Sequence, residues 1–105
     1  MTGKVIEATE LKEFIGESNK GLVVIDFYAD WCAPCRALSP TLERLAKELK
    51  FTLVKVNVDK SQGEAAKFGV QGIPSVFLIK DEKLVDKFVG ARDADFIKTK
   101  IAKWI

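Results

Sequence analysis

The 105-residue sequence predicts one α/β domain built on a central mixed sheet with helices covering both faces. Three observations point there. Short apolar segments alternate with segments of helical period in the order strand, helix, strand, helix, strand, then helix, strand, strand, helix. The last two strand segments, 76–79 and 84–89, are separated by charged residues around Asp81 and Glu82 and lie close enough to form an antiparallel hairpin. A 48% hydrophobic composition over this length fills one core, and the chain is too short for a second.

Val5 and Ile6 form the first, short strand. Thr9 is the expected N-cap of a helix with Leu11, Phe14 and Ile15 on one face, and Gly16 and Gly21 bracket its exit. Residues 22–28 are nearly all apolar, as in a strand buried on both faces, and Asp26 interrupts them. Pro34 opens the next helix at a position where its missing N–H costs little. Leu38, Leu42, Leu45 and Leu49 follow at alternating spacings of four and three, and Pro40 is expected to kink this helix.

In residues 52–58, Val54, Val56 and Val58 alternate with Lys55 and Asn57, so one side of this strand carries polar groups. Ser61, with Glu64 three residues later, predicts a capping box for a short helix that runs out at Gly69. Gly90 ends the hairpin. Asp93 is placed to cap a last helix whose Ile97, Ile101, Trp104 and Ile105 recur with helical period and pack on the sheet.

The charge pattern removes several function classes. Seventeen basic and fifteen acidic residues are interspersed, leaving a net charge of +2 without the concentrated positive face that nucleic-acid binding requires. The first fifteen residues mix Glu7, Glu10 and Glu13 with Lys4 and Lys12, unlike a secretory signal. The longest apolar runs are four residues, against the ~20 of a membrane span. A cytoplasmic location is therefore expected, with no membrane association. The chain has two cysteines and no histidine, so it has no imidazole for acid/base work, for a Cys-His pair or for a metal site.

The two cysteines lie in Trp31-Cys32-Ala33-Pro34-Cys35, at the junction between the buried strand and the Pro34 helix. Unpaired backbone N–H groups and the macrodipole at a helix N-terminus favour a negative sulfur, so Cys32 is expected to exist partly as thiolate near neutral pH. Cys35 falls about one turn deeper on the same face, where its thiol can reach the first sulfur. Two other readings compete. A structural disulfide closing so short a loop gains roughly 2 kcal/mol of chain entropy and is opposed by cytosolic reductants. A zinc site needs about four ligands, which this chain does not supply, so no metal and no cofactor are expected.

The segments Asp26-Phe27-Tyr28-Ala29-Asp30-Trp31-Cys32-Ala33-Pro34-Cys35-Arg36, Pro40, Lys55-Val56-Asn57-Val58-Asp59, Gly72-Ile73-Pro74-Ser75 and Val89-Gly90-Ala91 occur in the order and spacing of a known family. Over essentially its whole length the sequence resembles the thioredoxin family. The resemblance implies a five-stranded mixed sheet flanked by four helices as a single domain over 1–105, and a cis bond before Pro74. It also implies protein-disulfide reductase activity recharged by a thioredoxin reductase. The family usually carries Gly at Ala33, Trp at Tyr28, and an Asn-Gly turn where this chain has Asp81-Glu82. Ala33 adds a methyl group between the sulfurs on the surface that meets substrate.

Asp26 is the most informative residue after the cysteines, because a carboxylate in an apolar strand is costly unless paired or neutral. Burial raises the pH at which such a group ionises, so it can accept and return the Cys35 proton. The competing reading is a solvated aspartate. Lys55 resembles the family's lysine near this aspartate and is a candidate to tune it; a solvated lysine is the alternative. Ile73-Pro74 follows Gly72 and precedes a strand, where a proline shapes a turn. With Trp31, Ala33, Pro34, Gly90 and Ala91 these residues suggest a flat apolar rim that grips an extended substrate segment. The expected chemistry is attack by Cys32 on a target disulfide and resolution by Cys35, in a monomer whose partners are thioredoxin reductase and disulfide-containing proteins. An oxidase or isomerase, and a binding module in which the thiols are incidental, remain as alternatives.

Overall fold

The computed structural model describes residues 3–105; Met1 and Thr2, the start of the unit expected over 1–105, lie outside the described residues. The elements follow the predicted order: β1 (Val5–Glu7), α1 (Lys12–Glu17), β2 (Val23–Tyr28), α2 (Ala33–Leu49), β3 (Thr52–Asn57), α3 (Gln62–Lys67), β4 (Ser75–Lys80), β5 (Lys83–Val89) and α4 (Ala94–Ala102). The five strands form one sheet in the order β1-β3-β2-β4-β5. β3 pairs parallel with β1 and β2, while β4 runs antiparallel to both β2 and β5, so the sheet is mixed as the sequence predicts.

Alternation along the central strand builds two cores. Val24 points to one face, where Leu38, Leu42 and Leu45 of α2 and Ile97 and Ile101 of α4 meet Leu53, Val76 and Phe88. Val23, Ile25 and Phe27 point to the other, against Leu11, Val54, Val56 and Phe77, with Phe14 and Phe68 packed on them. Each of these buried aliphatic or aromatic side chains contributes about 1.5–3 kcal/mol on leaving water, so both helical layers are held by burial. Register extends the pattern into one row across the sheet. Glu7, Lys55, Asp26, Val76 and Phe88 are successive register partners and therefore share a face, the one that α2 covers. The row is ionic at the β1 side and apolar at the β5 side.

Helix α2 sets the position of the cysteine pair. Cys32 is its N-cap, with extended backbone, and Pro34 sits in the first turn where no N–H is needed. Pro40 lies inside the helix, which runs through it for 17 residues, and leaves the Arg36 carbonyl without its usual donor. Asp93 caps α4 as predicted, its carboxylate accepting from the Phe96 N–H at 2.8 Å.

Four local expectations are corrected. Thr9 does not cap α1; Leu11 occupies the N-cap position, and the Thr9 carbonyl accepts from the Ser61 hydroxyl at 3.1 Å. Gly16 lies inside α1 and does not end it. Ser61 is the N-cap residue of α3 but forms no capping box, because Glu64 reaches away to accept from the Leu11 N–H at 2.6 Å. A pattern that reads as local capping is thus a tertiary clasp between α3 and the start of α1. Ile105 does not pack with Ile97 and Ile101; it is 61% exposed, beyond the end of α4.

The β4–β5 hairpin turns through Asp81 and Glu82, both left-handed with φ of 52° and 62°. This is the type I′ geometry that matches strand twist and that glycine and asparagine ordinarily supply. Buried Ser18 holds it: its carbonyl accepts from the Asp81 N–H at 3.0 Å and its hydroxyl from the Glu82 N–H at 2.7 Å. Glu82→Gly should raise stability by about 0.5 kcal/mol, because relief of the left-handed L-residue outweighs glycine's added freedom when unfolded. A urea midpoint that falls would show that the exposed Asn19–Glu82 hydrogen bond outweighs the backbone term.

Candidate active site

The C-terminal end of β2 delivers Ala29, Asp30 and Trp31 to the N-terminus of α2, and there Cys32 and Cys35 are joined as a disulfide. The Cys35 backbone N–H donates to Cys32 Sγ at 3.3 Å. An orphan donor of the first helical turn is thus spent on sulfur, and the dipole of a 17-residue helix adds to it. The two residues share an apolar nest with Ala29, onto which Tyr28, Val58 and Ile73 pack. Exposure does not separate the two sulfurs. Cys32 is 5% and Cys35 2% exposed, so the difference between the sulfurs is one of position on the helix.

The loop before β4 completes the surroundings. The Ile73–Pro74 bond is cis, and the Ile73 carbonyl oxygen lies 3.9 Å from Cys32 Sγ. Pro74 itself is buried, so what this loop offers at the surface is half-buried Ile73 and exposed Gly72. Gly90 is left-handed, with φ +92°, and its N–H donates to the Pro74 carbonyl at 2.8 Å, which ties the end of β5 to the same loop. Ala91 follows, exposed. On the other side Trp31 is 69% exposed, its indole N–H held by Asp59 at 2.9 Å, and Ala33 and Pro34 are exposed beside it. Trp31 is therefore surface and not core filling. Two contributors escape the sequence reading. Val89 is 53% exposed, with a methyl 3.6 Å from where a Gly72 side chain would begin, and Asp59 orients the indole. An apolar residue closing a strand reads as core, and nothing local marks Asp59 as a partner of Trp31.

Asp26 is fully buried, and neither carboxylate oxygen has a hydrogen-bond partner. Burial pushes its carboxyl up from 3.8 to about 7, with Lys55 opposing and the carboxylates of Glu7 and Glu43 adding to the rise. The solvated-aspartate reading fails. Lys55 is its register neighbour on β3, yet the ammonium is bonded to α2, at 2.5 Å to Ser39 Oγ and 3.3 Å to Glu43 Oε2. It also stands 5.0 Å over the Tyr28 ring, so the simple solvated lysine fails too. The Tyr28 hydroxyl donates to Glu7. A cleft of about 500 Å³ opens beside Cys35, with Ser39, Glu43, Lys55 and Tyr28 on its walls. Ser39, Glu43 and Glu7 were not legible as site residues, since only sheet register and the docking of α2 bring them to Lys55.

Among the described residues no group of three or more His, Cys, Asp or Glu is placed to hold a metal ion, and no helix is long and apolar enough to cross a membrane. What the arrangement can do is make and break one disulfide: an N-capping sulfur supplied with a donor, a second sulfur one turn away, and a buried carboxyl that titrates near neutrality.

Comparison with known proteins agrees with this chemistry. A family model described as Thioredoxin matches residues 3–103. The thioredoxin of Chlamydia caviae is 45% identical over 93 residues, covering 88% of each chain. That of Bacillus subtilis is 36% identical over 101 residues, covering 94% of this chain and 96% of its own. Among solved structures, a point mutant of a thioredoxin from Halobacterium salinarum NRC-1 superimposes with a TM-score of 0.90 at 33% identity, over 98% of this chain and 92% of that one.

Proposed function

This chain belongs to the thioredoxin family and reduces protein disulfides through a redox-active C-x-x-C dithiol, and within that activity we propose a division of labour in which Cys32 attacks and Cys35 resolves. The Cys32 thiolate attacks one sulfur of a target disulfide and expels the other as a thiolate, leaving a mixed disulfide. Cys35 then gives up its proton and attacks Cys32 Sγ, the Cys32–Cys35 bond forms, and the second target thiol leaves. Two electrons pass to the target, and the dithiol becomes the disulfide. The observation that carries this order is the Cys35 N–H donated to Cys32 Sγ at the helix N-cap.

Asp26 serves as the acid/base that takes and returns the Cys35 proton. It faces α2 one pleat before Tyr28, which packs against the cysteine nest, and it has no other partner to hold its charge. Lys55 tempers it electrostatically. Trp31, Ala33 and Pro34 on one side, and Gly72, Ile73, Val89, Gly90 and Ala91 on the other, form the apolar rim that receives an extended target segment, with Pro74 shaping it from beneath. The protein works as a single domain in the cytoplasm, and a thioredoxin reductase restores the dithiol.

The rate of reduction of a model disulfide protein, recycled by thioredoxin reductase, tests these roles. It should rise with pH through an inflection near 7, where Asp26 ionises. Asp26→Asn should remove that inflection and slow the reaction by about 10²-fold at neutral pH, the lower end of general-base effects. An unchanged profile would take Asp26 out of the mechanism.

A further inference from the structure

Lys55 stands in register between two acidic side chains, Glu7 of β1 and Asp26 of β2, and a third carboxylate, Glu43, approaches from α2. An ammonium among three carboxylates has a choice of partner, and here the choice is visible. Lys55 donates to Ser39 Oγ at 2.5 Å and Glu43 Oε2 at 3.3 Å, and the Ser39 hydroxyl spends its own proton on Glu43 at 2.8 Å, which closes a triangle. Ser39 thereby presents its lone pairs to the ammonium. Asp26, the register neighbour, receives no hydrogen bond at either oxygen. Glu43 is also the outer partner, 43% exposed against 17% for Lys55, so the pairing draws the ammonium toward the open side of the cleft.

We propose that Ser39 and Glu43 are positioning residues that tether the Lys55 ammonium to α2 and hold it off the Asp26 carboxyl. The functional weight of this tether rests on the reading of Asp26 as the acid/base for Cys35. The charged groups around Asp26 are few: Lys55 from β3, Glu7 from β1 with the Tyr28 phenol bonded to it, and Glu43 from α2, while its β4 register partner is apolar Val76. An ammonium brought within hydrogen-bond reach of a carboxyl favours its ionised form. The tether therefore keeps Asp26 protonated up to near-neutral pH, where it has a proton to exchange. Without it Lys55 swings onto Asp26 and fixes the carboxylate as one half of an ion pair.

Ser39→Ala tests this without changing any charge, and alanine is the stronger helix former, so the variant folds. The readout is the titration of the Asp26 carboxyl, followed by its carbon-13 chemical shift in the oxidised protein. Ser39→Ala should lower the midpoint by about 1 pH unit, the lower end of what an opposite charge beside a carboxylate does. Ser39→Thr keeps the hydroxyl and should restore it. Lys55→Met should raise the midpoint and make Ser39→Ala silent in that background. A midpoint that Ser39→Ala leaves in place, or a shift that persists without Lys55, overturns the tether. The pH–rate profile of Asp26→Asn, recorded alongside, separates this from the mechanism. If that profile is unchanged while Ser39→Ala moves the midpoint, the tether stands and the proton-transfer role falls; if it flattens while Ser39→Ala moves nothing, the role stands and the tether falls.

Discussion

Asp26→Asn should stabilise the oxidised protein at pH 9 by about 4 kcal/mol relative to its effect at pH 3, because the gap between 3.8 and about 7 is worth about 1.4 kcal/mol per pH unit. The sign follows from where the proton sits. Between about pH 4 and 7 the native chain holds the Asp26 proton and the unfolded chain has released it, so unfolding frees a proton and becomes easier as pH rises. Below pH 4 both states are protonated and the aspartate costs nothing electrostatic; above 7 both are ionised and the penalty is complete. Asparagine has the same shape and no charge, so it keeps the unpaired polar group and removes the pH dependence alone. Denaturant unfolding of the two proteins across this range, with the disulfide intact, measures the difference. Curves that stay parallel would mean that Asp26 is solvated or paired in the native state.

That cost is the reason Asp26 was legible in the sequence at all. A carboxylate at the fourth position of a strand with apolar neighbours breaks a rule that folding alone would enforce, and such breaks mark sites. The cysteine pair was legible for a related reason: the strand, the C-x-x-C and Pro34 put both sulfurs at a helix start without any tertiary knowledge. The order of elements followed from period and turn chemistry, and the Asp93 cap was local enough to read directly. What stayed hidden was what folding brings together from afar. Ser61 and Glu64 carry a capping-box spacing, but their side chains are claimed by Thr9 and Leu11, more than fifty positions away, which no spacing rule registers. Lys55 on its polar stripe read equally as a partner of Asp26 and as a solvated lysine, and only the register with Glu7 and Asp26, together with α2 lying across them, makes it the centre of a charge cluster. Val89 showed the same limit in reverse: its alternation suited a strand, but its position at the end of an edge strand leaves it exposed on the rim.

Cys35→Ser should trap target proteins as mixed disulfides, while Cys32→Ser should trap far fewer. The two sulfurs are nearly equally buried, so the asymmetry has to come from the helix. Cys32 Sγ occupies the N-cap position and receives the Cys35 backbone N–H, a donor that substitution of the Cys35 side chain leaves in place. The variant therefore keeps its nucleophile and loses only the group that would release the target. Release then waits for an external thiol at millimolar concentration in place of one held a turn away, so the mixed disulfide should last at least about 10³-fold longer. In Cys32→Ser the remaining thiol sits inside the first turn, away from the N-cap position that favours a thiolate. Alkylation of the reduced parent protein at limiting reagent and pH 7 should accordingly label Cys32 before Cys35, since the thiolate is the reactive species. Preferential trapping by Cys32→Ser, or first labelling at Cys35, would reverse the roles and show that the helix N-terminus does not select the attacking sulfur.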